Sequence, residues 1–294
     1  MNSEQASTTA KVIAASTILL GSDPRTAAQV APGAVALCQQ LLSGHRVDRW
    51  LAGSAAHPVT RALWRGVERL TLPGIVAHYW HRKRWIERHC RAAIAQGFER
   101  VVILGAGFDT LGIRLAAGLP GIKVIEIDHP ATQHAKRRAL AGALAGDRAA
   151  AERMRFIALD LAAAPLPATL FDDARATLLI CEGVLMYLPP ADVARLFDVL
   201  RQGSGERMRM LFSFMTAWPD GGTGFRPHSY LIERWLAWRR EPFTWALAPE
   251  QMQAFLAGHG FRLVELALTW QFTESVPACG AMLEGENLVL CEPD

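Results

Sequence analysis

Apolar residues change their period near residue 100 of this 294-residue chain. Upstream they recur at helical spacing over 34–42, 61–70 and 80–94, with breakers at Pro24, Pro32, Pro58 and Pro73-Gly74. Downstream they gather into short apolar runs that predict strands at 101–104, 123–127, 155–159, 177–181 and 209–214. Between these runs the spacing predicts helices at 110–117, 131–144 and 191–200. Strands alternating with helices predict an α/β fold with a mostly parallel sheet. The alternation stops after the fifth strand, where 217–247 is rich in Trp, Gly, Pro and Arg. A helix at 249–258 then precedes strands at 261–268 and 287–291. The expected organisation is a helical cap over 1–98 and an α/β core over 99–294. Residues 217–247 are the expected lid or acceptor pocket, since such pockets are mostly apolar with a few placed polar groups.

The first strand runs from Val101-Val102-Ile103-Leu104 directly into Gly105-Ala106-Gly107. Glycines at that point let the backbone approach a ligand closely. The second strand ends in Glu126-Ile127-Asp128, where a carboxylate can accept hydrogen bonds from both hydroxyls of a ribose. Glu126 lies two residues back on the same strand face and is a supporting candidate. Asp160 follows the third strand and Glu182 the fourth. An acid after a strand is commonly a helix cap, which suits Asp160 as well as ligand binding does. Glu182 follows an apolar run expected in the middle of the sheet, and a carboxylate there is costly unless paired.

These features describe half of a nucleotide-binding sheet, but the spacing departs from the dinucleotide fingerprint. Its third glycine would fall at position 110, which is Thr, and position 109 is Asp, a poor neighbour for a pyrophosphate.

The ordered motifs resemble the leucine carboxyl methyltransferase family. They are Leu104 to Thr110 with Arg114-Leu115, Glu126 to Pro130 with Lys136, Asp160-Leu161, and Glu182 to Leu188. The resemblance implies a Rossmann-like class I methyltransferase sheet with its last strand antiparallel, and S-adenosylmethionine as cofactor. It implies that Gly105 and Gly107 back the methionine and ribose portion, that Asp128 takes the ribose, and that Asp160 and Leu161 take the adenine. It also implies that Glu182 takes the ammonium and Arg82 the carboxylate, with Lys83 and Arg84 leaving that register open. Tyr187 resembles the family's active-site Tyr, or else is a core Tyr. His228 is a candidate base, or an exposed loop His.

Family members methylate a protein C-terminal carboxylate, act in tRNA modification, or methylate small molecules. The compact chain favours an O-methyltransferase with a small-molecule carboxylate or hydroxyl acceptor. A nicotinamide-dependent oxidoreductase and a non-catalytic cofactor-binding protein are the alternatives.

Composition narrows the rest. A net charge of +3 is too small to argue for nucleic acid or a membrane surface as partner. Arg84, Arg88 and Arg91 share one helix face, which reads as solvated. The five cysteines have neither metal-ligand nor redox spacing, so no metal site is expected and the thiols are expected to be reduced and mostly buried. Residues 12–20 lack a basic leader and a cleavage site, so they read as an amphipathic helix and the protein as cytoplasmic.

Overall fold

The computed structural model describes residues 6–167, 170–171, 175–203, 207–226, 242–272 and 283–294. An eight-stranded sheet organises them. Its strands are β1 (Arg100–Leu104), β2 (Lys123–Asp128), β3 (Met154–Ala158), β4 (Thr177–Cys181), β5 (Met208–Thr216), β6 (Ala246–Leu247), β7 (Phe261–Leu268) and β8 (Glu286–Pro293). The order is β3-β2-β1-β4-β5-β8-β7, with β6 paired to β5. Neighbours from β3 through β5 are parallel, and β8 runs antiparallel to both β5 and β7. β1 and β4 are buried at every residue, as apolar runs covered on both faces must be. Strand order reverses between β1 and β4, the position at which open α/β sheets bind ligands.

The helices are α1 (Thr8–Gly21), α2 (Ala34–Leu41), α3 (Arg46–Ala56), α4 (Pro58–Thr71), α5 (Ile75–Ala95), α6 (Leu111–Gly118), α7 (Pro130–Gly146), α8 (Arg148–Arg153), α9 (Pro190–Gly203) and α10 (Met252–Gly258). Starts follow local chemistry. Pro58 and Pro130 occupy first positions, where the missing N–H is no loss, and Ser7 and Asp147 cap α1 and α8 through their side chains. One face of the sheet packs Phe197, Leu200 and Leu256 from α9 and α10, and the other packs Trp85, Ile86, Leu111 and Leu115 from α5 and α6.

A third apolar cluster joins α1, α2 and α3 to Val76, Ala77 and Trp80 of α5 and to Phe108 beyond β1. α5 therefore serves both the sheet and the cap, with Trp85 onward facing strands and the preceding turns facing cap helices. Cys38, Cys90, Cys181 and Cys291 are buried free thiols, and Cys279 lies outside the described residues. Among the described residues no helix is long and apolar enough to cross a membrane.

Candidate active site

Parallel pairing brings the ends of β1, β2 and β4 to one rim. The turn after β1 is fixed by its glycines. Gly105 has φ of 63°, and a Cβ there would lie 2.1 Å from Val184 Cγ2, so no other residue fits. Gly107 has φ of 47°, and a Cβ would lie 3.2 Å from Ala10 of α1, which therefore rests directly on the turn.

Asp128 locks that turn. Its Oδ2 accepts the Gly107 N–H and its Oδ1 accepts the His129 N–H at 2.6 Å. Burial raises the Asp128 carboxyl above its ordinary value, while these two N–H donors oppose the shift. An ionised carboxylate has about four acceptor sites, so two remain for hydroxyl donors.

Asp109 serves two elements. Its Oδ1 accepts the Leu111 N–H of α6 at 2.8 Å, and its Oδ2 lies 2.7 Å from Lys83 Nζ. Burial alone would raise this carboxyl, but the charge and hydrogen bond of Lys83, the charge of Lys136 and the Leu111 N–H together outweigh it, and the group is held well below the usual range.

The largest group of charge lies where α5 crosses the ends of β4 and β8. Arg82 is buried. It donates from Nε to Glu182 at 2.6 Å and from Nη1 to the Glu286 oxygens at 2.8 and 2.6 Å. Lys83 reaches Glu182 at 3.2 Å as well as Asp109, and fully buried His78 lies 2.7 Å from Glu286 through Nε2. Burial works against the charged forms of Arg82 and Lys83, yet the facing carboxylates push both above their ordinary values. Glu286 is drawn down to about 2, because Arg82 and the His78 hydrogen bond outweigh its burial. Three carboxylates thus face Arg82 and Lys83, with His78 as a further basic partner on Glu286.

Glu126 belongs elsewhere. It is completely buried, with its Oε2 2.7 Å from the equally buried Lys136 Nζ. A Cβ on Gly112 would meet its Oε1 at 2.3 Å, so the side chain lies beneath α6 rather than toward the rim. The expectation that Glu126 supports Asp128 at a ligand is corrected. The strand's alternation puts both on one face, but α6 covers the earlier of the two.

Asp160 is half-exposed. Its Oδ1 accepts the Ala162 N–H at 3.0 Å and its Oδ2 faces His129 Nε2 at 3.9 Å. It therefore caps its own turn while keeping one oxygen toward the rim. Leu161 is half-buried beside it and packs against the core. Tyr187 is half-buried, with its ring 5.7 Å from that of Phe243. His228 lies outside the described residues, as does 227–241 of the aromatic segment.

Two contributors were missed from sequence, Glu286 and Asp109. Glu286 opens a strand whose continuation is Asn-Leu-Val-Leu, and a carboxylate entering an apolar strand is the same signal that singled out Glu182. Asp109 was noted only as an obstacle to pyrophosphate.

A cavity of about 620 Å³ opens from Glu182, Lys83 and Asp109 toward α1 and α2. Its size is that of a small-molecule site.

The pattern of the leucine carboxyl methyltransferase family matches residues 35–201, more than half of the chain and every rim element from α5 to α9. The chain belongs to that family. Among its curated relatives, a Mycolicibacterium smegmatis protein named as an S-adenosyl-L-methionine-dependent methyltransferase is 34% identical over 193 residues. That match covers 62% of this chain and 60% of the relative. A Mycolicibacterium paratuberculosis protein with the same description is 35% identical over 196 residues, again 62% of this chain and 60% of the relative. The chain thus spans under two thirds of the length of the relatives it matches. In fold, it resembles the crystal structure of a Thermobifida fusca protein described as a methyltransferase. The TM-score is 0.57 at 17% identity, over 88% of this chain and 94% of that one. The family's sheet, with its one antiparallel strand, is the sheet found here.

Proposed function

We propose that this protein is an S-adenosylmethionine-dependent O-methyltransferase acting on a carboxylate or hydroxyl of a small molecule. The observation that carries the proposal is the pair of carboxylates Asp109 and Glu182, held by Lys83 and Arg82 beside the Gly105–Gly107 turn and lining the cavity. Glu182 is placed there to accept a ligand's positive group. The Gly105–Gly107 turn is packed under Val184 and Ala10 and is locked by Asp128, which keeps acceptor sites for a ribose. When bound, S-adenosylmethionine supplies an electrophilic methyl on a sulfonium sulfur.

Glu182, beside Lys83, would hold the ammonium end. Arg82, expected to take the carboxylate, is turned instead onto Glu182 and Glu286 and sets the place of Glu182. Asp128 would hold the ribose and Asp160 with Leu161 the adenine. α1, seated on Gly107, would keep water from the rim, and the residues of the rim would align an acceptor oxygen with the methyl carbon. Alignment and water exclusion of this kind supply roughly 7–11 kcal/mol of a barrier. An ionised carboxylate acceptor needs no base, whereas a hydroxyl must lose its proton, and Tyr187 or His228 are the residues proposed for that step.

The nicotinamide alternative is disfavoured by Asp109. It already accepts the α6 N-terminal N–H that a pyrophosphate would use and adds negative charge there. Calorimetric titration with S-adenosylhomocysteine and with NAD separates the two: binding of the first alone is expected, and binding of NAD alone overturns the proposal. Transfer of labelled methyl to a cell extract then tests catalysis.

A further inference from the structure

The 620 Å³ cavity has walls and ends of different character. One wall is the cap, with Ile13, Leu20, Val30 and Pro32 and no charged side chain. The other is the face of α5 and the start of α6. Its lining on α5 runs from Tyr79 to Arg91, about 18 Å at 1.5 Å per residue. Asp128 and Asp160 are not part of it, so the cavity leads away from the ribose and adenine positions proposed above.

At the inner end Lys83 and Arg82 are both engaged by the carboxylates Asp109 and Glu182. At the outer end Glu87 is already held by two guanidiniums. Arg114 forks onto it at 2.8 and 2.7 Å, and Arg91 donates to it at 2.9 and 2.7 Å. Arg88, whose Nη2 lies 3.5 Å from the His89 ring, adds another cation there. Arg88, Arg91 and Arg114 thus share the mouth with the Glu87 carboxylate. The helix face that reads as merely solvated in the sequence forms the cationic mouth of the cavity.

We propose that this cavity is the acceptor site, and that it takes an elongated, largely apolar acid with its anionic group at the Arg88 end. The inference rests on the methyltransferase reading. At the floor Lys83 and Arg82 are already taken by Asp109 and Glu182, whereas the mouth offers an anion donors suited to a carboxylate. The anionic group is therefore the handle that orients the acceptor, and the oxygen that receives the methyl belongs to its other end.

The test titrates the full-length protein calorimetrically with decanoate, decanol and decyltrimethylammonium. Arg88→Glu and Ala31→Trp are compared with the parent, and Ala31→Trp adds bulk from a loop position on the cap wall. Decanoate is expected to bind at least about tenfold more tightly than the other two. Arg88→Glu should weaken decanoate by a similar factor without weakening decanol, and Ala31→Trp should weaken both. Equal affinity for the three probes, or indifference of decanoate to both variants, overturns the inference. S-adenosylhomocysteine titrated into the same samples keeps the two readings distinguishable. Its failure to bind the parent overturns the methyltransferase reading, while its undiminished binding to both variants places any lost decanoate affinity in the acceptor cavity.

Discussion

Two groups of buried charge lie at the same sheet and behave oppositely. Glu126 and Lys136 form a closed pair beneath α6, one carboxylate on one ammonium, with neither side chain exposed. Arg82, Lys83, Asp109, Glu182 and Glu286, with His78 on Glu286, form an open group that borders a cavity through Lys83, Asp109 and Glu182. The closed pair is sealed from any ligand and positions α7 against β2. Buried charge near a glycine turn is therefore no sufficient sign of a binding site; what distinguishes a site is access from a cavity.

The sharpest way to break the comparison is to open the closed pair. Lys136→Met leaves Glu126 buried without a partner and is expected to lose about 3–5 kcal/mol of stability in urea denaturation, whereas Glu126→Leu with Lys136→Met is expected to be near neutral. If the double variant loses as much as the single, the pair is not self-contained.

Acid titration of stability separates the groups by sign. Glu286, drawn from 4.5 to about 2, contributes stability that is complete above pH 4.5 and lost as pH falls toward 2. Glu126 is pushed by burial from 4.5 to about 6, against the pull of Lys136. Its folded form keeps the proton longer, so stability falls as pH rises from 4.5 to 6. Each swing amounts to about 2–3 kcal/mol. Denaturation at a series of pH values should show the upper slope vanish in the Glu126→Leu, Lys136→Met protein and the lower slope persist.

Glu182→Gln removes one carboxylate charge from the open group. The ligand-free protein should lose under about 1 kcal/mol, while S-adenosylhomocysteine affinity should drop by about 10–100-fold, the worth of one charge-assisted hydrogen bond. A large stability loss with unchanged affinity would assign Glu182 to the scaffold. Asp128→Asn carries the smallest expected effect, about tenfold in the same titration, because one acceptor oxygen survives. Unchanged affinity would remove the ribose assignment.

Much of this architecture was legible in the sequence, and the reasons differ by element. β1 and β4 are covered on both faces, so their residues are uniformly apolar and their bounds are read off directly. α3 was not anticipated. Its apolar Val47 and Trp50 are 62% and 64% exposed, so hydrophobic spacing there does not mark a buried face. In the basic run of α5 the sequence left the register open among three neighbours. The structure turns Arg82 to Glu182 and Glu286, Lys83 to Asp109, and Arg84 outward over Trp80. Glu286 carried a local signal, a carboxylate entering an apolar strand, but its partner lies 204 positions away and no local pattern names it.

That separation bears on assembly. β7 pairs in the sheet only through β8. Without β8, β5 would be an open edge, β7 would have no place in the sheet, and Arg82 would lose two of its hydrogen bonds. One strand thus completes both the sheet and the ligand rim, through a contact across 204 positions of the non-local kind that slows folding.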